Sequence, residues 1–285
     1  MASTTSMPIG INTMSFMWSM SARRALESLA REGYQRFEVM AQPPHFDPMM
    51  TPDEARSFAR FLRNAQLTVE SINLPSLDQN LASASREMRV YSIGLYERLI
   101  EIAATIGARA IVVVTGRVNP LIAPLRRDLE GWFSDAFVQV LAKAERAGMT
   151  LLLENIPIGV YSTAAQLIAF ADMFDSPNVA ICYDIANAHF IGEDVAAGVH
   201  AVKARLGIVH LSDTNRDKWR HDPVGQGSCD FAGFAQALRE IGYDKTSMLE
   251  IVAEQAVEQT LESHRRLGQW GWQGPPANGA EPRAH

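Results

Sequence analysis

Short runs crowded with apolar residues alternate along this chain with longer stretches in which apolar residues recur every three or four positions. The first pattern suits a β-strand and the second an amphipathic helix, because side chains repeat every two residues in a strand and every 3.6 in a helix. Eight strand-like runs can be placed, at residues 8–14, 36–40, 68–73, 110–115, 150–155, 179–184, 207–212 and 247–252. Several, including IVVV, TLLLE and GIVHLS, are apolar almost throughout, as strands covered on both faces must be. Between them lie SARRALESLAREG, TPDEARSFARFLRNAQ and DFAGFAQALREIG, with an apolar stripe on one side and Gly near several ends. Ser21, Thr51, Ser162 and Asp230 stand where N-cap side chains would meet the orphan N–H groups of helix starts. Strand and helix alternating in this way call for a parallel sheet with crossover helices. Eight such units in 285 residues predict a single α/β domain, a (β/α)8 TIM barrel. From Gly268 the sequence GQWGWQGPPANGAEPRAH turns rich in Gly and Pro. Residues 1–267 are therefore read as the barrel and 268–285 as a flexible tail, within which Trp270 and Trp272 could dock back.

Composition narrows the function classes. The chain is 47% hydrophobic and 20% charged, ordinary for a protein that buries a sizeable core. A net charge of −6 without any basic run offers no footprint for a phosphate backbone or an acidic lipid surface, so nucleic acid is not an expected partner. The start, MASTTSMPIGINTMSF, has no basic segment followed by a long apolar one, and no apolar run is long enough to span a bilayer. Neither export nor membrane insertion is expected. Two cysteines, Cys182 and Cys229, are too few for a disulfide framework and read as reduced thiols, which points to the cytoplasm.

In a barrel of this kind the C-terminal ends of the strands carry the chemistry. Glu154 closes the fifth run after three leucines, and Asp184 closes the sixth after Ile181, Cys182 and Tyr183. His210 lies between Val209 and Leu211, and Glu250 between Leu249 and Ile251. A carboxylate inside an apolar strand costs several kcal/mol unless it is paired or bound to a cation. Each residue alone could be a strand end capped by loop N–H groups, but three anions and one imidazole on consecutive strands favour a shared ion. The hard, oxygen-rich set Glu154, Asp184, His210 and Glu250 suits one divalent metal ion, Mn²⁺, Mg²⁺ or Co²⁺.

The ordered pieces LLLEN, CYDIANAH, VHLSDTNR and MLEI, about one βα unit apart, resemble the xylose-isomerase-like TIM-barrel superfamily of sugar and sugar-phosphate isomerases and epimerases. The resemblance spans nearly the whole chain up to the tail. It implies a metal-dependent isomerase or epimerase of a small carbohydrate-like molecule, working through an enediolate. In the ketose 3-epimerase branch the first and last glutamates bind the metal and also form the acid/base pair, which implies Glu154 and Glu250 here. One would take a proton from one face and the other return it from the opposite face.

The same resemblance implies that Arg216, in VHLSDTNR, holds substrate oxygens, and that His221, in RHDPVGQG, is a substrate contact. Two positions depart from the free-ketose pattern. Asn187 stands where a sugar-contacting histidine is usual, with His189 two residues on, and Val160 stands where a glutamate commonly follows the strand-five ligand. Asn187 and His189 are still read as substrate contacts. Below these rank Glu38, Asn73, Asn80 and Trp18, His45 behind the Pro43–Pro44 pair (otherwise a surface histidine), and Arg117 as a holder of a phosphate or carboxylate. Relatives commonly pair through barrel faces, so a homo-oligomer is compatible with the resemblance.

Three other functions fit parts of this pattern. A dehydratase or lyase of a cyclic keto-sugar, keto-inositol or keto-glycoside would begin with the same proton abstraction. An endonuclease-IV-like phosphodiesterase would need more histidines for a three-metal cluster and a basic face. A binding barrel would keep the polar shell without turnover.

Overall fold

Strand order follows chain order all the way round. The computed structural model describes residues 6–273. Its β1 (Met7–Asn12), β2 (Arg36–Met40), β3 (Thr68–Asn73), β4 (Ala110–Val114), β5 (Thr150–Glu154), β6 (Val179–Asp184), β7 (Leu206–Leu211) and β8 (Ser247–Leu249) are all parallel, and β1 pairs with both β2 and β8. Sheet closure is thereby complete, and the expected eight-stranded TIM barrel is what the chain forms. Helices α1 (Ala22–Arg31), α2 (Pro52–Ala65), α3 (Arg86–Ile106), α4 (Arg126–Ala147), α5 (Ala164–Ala171), α6 (Ile185–Phe190), α7 (Val195–Val202), α8 (Phe231–Glu240) and α9 (Ala256–Leu267) fill the connections.

Alternation along the strands sets the site. Val112, Leu152, Cys182, Ile208 and Met248 pack together as an apolar plug inside the barrel. Their neighbours Leu151, Leu153, Ile181, Tyr183, Val209, Leu211 and Leu249 belong instead to the larger core under the helices. Because strand side chains alternate, two residues beyond each plug residue the chain faces inward again. Leu152 is thus followed by Glu154, Cys182 by Asp184, Ile208 by His210 and Met248 by Glu250. A greasy floor beneath and four polar groups above it are one and the same periodicity.

The helix starts are largely those the sequence marks. Thr51 and Glu54 form a reciprocal capping box on α2, and Asp230 accepts from Gly233 N on α8. Thr163 rather than Ser162 caps α5, because its hydroxyl and the Gln166 side chain bond each other's backbone N–H groups. Ser21 occupies the N-cap of α1 without a side-chain bond. Strand β8 is shorter than its apolar run: Glu250 N still donates to Leu211 O of β7, but Val252 N turns to His221 O at 2.6 Å.

The chain does not leave the barrel at residue 267. Trp270 stacks on Phe231, and β9 (Trp272–Gln273) pairs in parallel with Met7 and Pro8. Trp272 is fully buried and donates from Nε1 to Ser247 Oγ at 2.9 Å. The domain therefore extends at least to Gln273, and residues 274–285 of the expected tail lie outside the described residues. No helix among the described residues is long and apolar enough to cross a membrane.

Candidate metal centre and active site

At the C-terminal mouth of the barrel, one ligand atom from each of Glu154, Asp184, His210 and Glu250 lies within 4.8 Å of the others. His210 Nδ1 stands 3.0 Å from Glu154 Oε1, 3.0 Å from Glu250 Oε2 and 4.0 Å from Asp184 Oδ2. None of the four side chains is more than marginally exposed. Asp184 Oδ1 accepts from Asn187 N at 2.7 Å, while Oδ2 has no hydrogen-bond partner. A buried carboxylate oxygen without a partner is expensive, so the cluster is incomplete by itself. Three carboxylates, one of them with an orphan oxygen, and one imidazole nitrogen are a donor set that fits a hard divalent cation.

The backbone behind these four residues is tied down. Asn155, immediately after Glu154, donates to Asp184 O at 3.0 Å and accepts from Asp184 N at 2.7 Å, bolting the end of β5 to the end of β6. Asn12 donates to both Glu38 Oε1 (2.6 Å) and Glu250 Oε1 (2.8 Å), and Asn73 reaches the same Glu250 oxygen at 3.3 Å.

Glu38, ranked below those four residues from sequence, is fully buried with Oε1 only 2.9 Å from His210 Nε2. That nitrogen is close to Glu38 without being well aligned to donate to it. Glu38 Oε2 accepts from Ser71 Oγ at 2.5 Å. The imidazole is thus bracketed: one nitrogen turned to Glu38, the other to the ligand cluster. A carboxylate behind a histidine fixes which ring nitrogen is left to bind a metal.

The charges act on one another. Burial pushes Glu250 up to about 7, against the pull of His210, and Glu154 adds to the rise. Asp184 is raised by burial, with a further push from Glu154. Burial alone would lower His210, but Cys182, Glu250 and Glu38 outweigh it and hold the imidazole well above its ordinary value. Glu38 goes the other way: burial opposes ionisation, yet His210 and the bonds from Ser71 and Asn12 keep it below the usual carboxylate range. The cluster is thus one that holds protons where a cation could sit.

The sequence profile of the family described as xylose isomerase-like TIM barrel matches residues 26–269. The chain belongs to that family. Among relatives of this xylose isomerase-like barrel, the L-ribulose 3-epimerase of Mesorhizobium japonicum is 25% identical over 275 residues, covering 93% of this chain and 88% of the relative. A solved D-tagatose 3-epimerase-like protein superposes with a TM-score of 0.82 at 21% identity, covering 93% of this chain and 97% of the other. The IolI protein, solved with a bound zinc atom, gives 0.76 at 17% identity over 94% of this chain and 99% of the other.

The remaining candidates of this barrel divide into those at the mouth and those beside it. His221 Nδ1 lies 3.6 Å from Glu250 Oε2 and 3.7 Å from Asp184 Oδ2, and it bonds Ser212 Oγ at 3.0 Å. Asn187 is buried one helical turn from Asp184, and its Oδ1 accepts from Trp219 Nε1 at 2.7 Å. His189 is partly exposed and bonds Ser228 Oγ at 2.9 Å rather than any of the four ligands; burial and then nearby Arg216 lower its pKa. Arg216 is exposed on the loop after β7. That loop is anchored by buried Asp213, which accepts from Thr214 N, Gly225 N and Cys229 N. Gly227 is required there, since a Cβ would fall 2.4 Å from Asp213 Oδ1.

Asn80 and Arg117 hold neighbouring loops: Asn80 accepts from Arg117 N, and Arg117 Nη1 donates to the carbonyls of Ser76 and Leu77. His45 is not a surface residue. It is buried with one ring nitrogen 2.9 Å from Thr13 Oγ1 and the other 2.7 Å from Met20 O, so it braces β1. Trp18 is 65% exposed at the rim.

Proposed function

We propose that this barrel is a divalent-metal-dependent epimerase of a small ketose or related polyhydroxy carbonyl compound, with Glu154 and Glu250 as the acid/base pair. The observation that carries the reading is the convergence within 4.8 Å of Glu154, Asp184, His210 and Glu250. Those residues would hold the ion, with His210 contributing Nδ1. When bound, the ion would polarise a substrate carbonyl and its neighbouring hydroxyl. The metals that fit are Mn²⁺, Mg²⁺ or Co²⁺, and the zinc atom in the IolI protein adds Zn²⁺ to the set worth testing.

Glu154 and Glu250 arrive from β5 and from the end of β8, strands that lie to either side of β7, and each brings an oxygen 3.0 Å from His210 Nδ1. Two carboxylates flanking one carbon invert its configuration: one removes a proton and the other delivers a proton to the opposite face. Asn12 and Asn73, both on Glu250 Oε1, leave Oε2 as the oxygen turned toward the ligand cluster. Arg216, Asn187, His189 and His221 are the proposed substrate contacts, of which Asn187 and His221 lie deepest. A relative named as an L-ribulose 3-epimerase supports the sugar-epimerase class. The unpaired Cys182 and Cys229 suit a reducing cytoplasm.

The test loads metal-stripped protein with Mn²⁺, Co²⁺ or Zn²⁺ in D₂O and follows deuterium into a panel of ketoses that includes L-ribulose and D-tagatose. Deuterium should enter one carbon beside the carbonyl together with the inverted sugar. Glu154→Gln and Glu250→Gln should each lower that rate by about 10²–10⁴-fold. No exchange with any sugar and any ion would falsify the proposal.

A further inference from the structure

The Asn187 side chain raises a satisfiability problem that Trp219 resolves on one side only. An indole N–H can donate but never accept, so the atom 2.7 Å from Trp219 Nε1 must be the amide oxygen. The orientation of the amide follows from chemistry rather than from choice. Its Nδ2 is then turned away from the indole, and it finds no acceptor although the residue is only 1% exposed. Leaving a buried donor unmade costs about 1–3 kcal/mol. Three residues earlier, Asp184 Oδ2 is likewise without a partner, and Asn187 N bonds the other oxygen of the same carboxylate. The two orphans are complementary in kind: an acceptor that lacks a cation and, one helical turn away, a donor that lacks an oxygen.

Trp219 belongs to the loop after β7, between Arg216 and His221, with its ring centroid 6.3 Å from that of His221. Its bond to α6 crosses from one strand-end loop to the next at the barrel mouth. We infer that Trp219 is a positioning residue that locks the Asn187 amide so that Nδ2 is presented as a fixed hydrogen-bond donor to a substrate oxygen beside the metal centre. The inference rests on the epimerase reading above and deepens it. The substrate must offer a hydroxyl or carbonyl oxygen to Nδ2, next to the oxygens that address the ion. Trp219 touches no substrate in this account and acts through Asn187. If it is lost, the amide can turn over, and its oxygen would repel a substrate carbonyl or force a substrate hydroxyl to donate instead of accept.

A double-variant cycle on the full-length, Mn²⁺-loaded protein tests this, using whichever sugar of the panel turns over fastest. Trp219→Phe, which keeps a ring and removes the N–H, should raise KM about fivefold with kcat within about twofold. Asn187→Leu should raise KM about tenfold, and the double variant should be no worse than Asn187→Leu alone. Losses that multiply in the double variant, or an unchanged KM in Trp219→Phe, would overturn the inference, because a ring that merely packs gives one or the other. Asn187→Ala replaces Asn187→Leu should the latter fail to fold. Independently of any sugar, the indole N–H resonance of Trp219 should move upfield in the Asn187 variant, and an unmoved resonance would mean that the bond does not exist in solution. Failure of the wild type to bind or exchange any sugar sinks the epimerase reading and this inference together. A turning-over wild type with a multiplicative cycle sinks the inference alone.

Discussion

Glu38 reaches the carboxylate cluster through its contact with His210 and its bond from Asn12, a position that constrains the imidazole. With an anion 2.9 Å from Nε2, the ring's other nitrogen is the one left for a metal, and the ring cannot turn over without stranding a buried carboxylate. Glu38→Gln keeps the volume and the bonds available to Ser71 and Asn12 but removes the charge. Affinity for Mn²⁺ should fall by about 10–100-fold in a chelator-competition titration, with the melting temperature little changed in saturating ion. An unaltered affinity would mean that Nε2 needs no anion behind it. The convergence of Glu154, Asp184, His210 and Glu250 was legible in the sequence because each interrupts an apolar run at a strand's inward-facing end. Glu38 interrupts one just as clearly, between Phe37 and Val39, but its rank depends on non-local register. A shift between β2 and β3 pairs Glu38 with Ser71 instead of Glu70 and brings the Ser71 hydroxyl to the carboxylate. His45 was illegible for a similar reason: its partners, Thr13 and Met20, sit on a segment more than twenty residues earlier.

At the level of elements, strand periodicity carried the fold, and the exceptions lie where packing overrides it. Gly10 faces a crowded seam: a Cβ there would meet Met248 Sδ at 2.7 Å and Arg36 O at 2.9 Å. The thioether can move but the carbonyl belongs to a strand backbone, so Gly10→Ala should cost about 1–3 kcal/mol, read as a lower midpoint in urea unfolding. Metal affinity should weaken with it, because Met248 is two residues below Glu250 on the same face. A stability loss with affinity intact would separate the seam from the site. Strand β9 is the element that composition concealed, since Gly and Pro around it read as a tail. Its most buried anchor is Trp272, which is bonded to Ser247, the first residue of the strand that leads to Glu250. Trp272→Ala should therefore destabilise the barrel by about 3–5 kcal/mol in the same assay. A loss under about 1 kcal/mol would mean that this turn adds nothing to the barrel's stability.

For the molecule as a whole, the charge cluster at the mouth should couple stability to both protons and metal. In the metal-free protein Glu250 titrates at about 7, far above an ordinary glutamate, and Asp184 is raised in the same direction, both chiefly by burial. A group whose folded value is raised gives its full stabilisation below its unfolded value and loses it as pH climbs through the folded one. His210, also raised, has the same sign. Glu38 has the opposite sign, but its stabilisation is lost only as the solution becomes more acidic than an ordinary carboxylate, outside the neutral window. Glu250 acts up to about pH 7 and His210 above its ordinary imidazole value, so across the span from about pH 5.5 to pH 8 the melting temperature of dialysed, metal-free protein should fall as pH rises. A divalent ion replaces the protons that hold the cluster together, and it competes with them for the same oxygens, so its affinity rises over that window. The gap in melting temperature between Mn²⁺-saturated and metal-free protein should widen steadily from about pH 5.5 to pH 8. A gap that is absent, or that narrows with pH, would mean that those buried anions are balanced by something other than a cation.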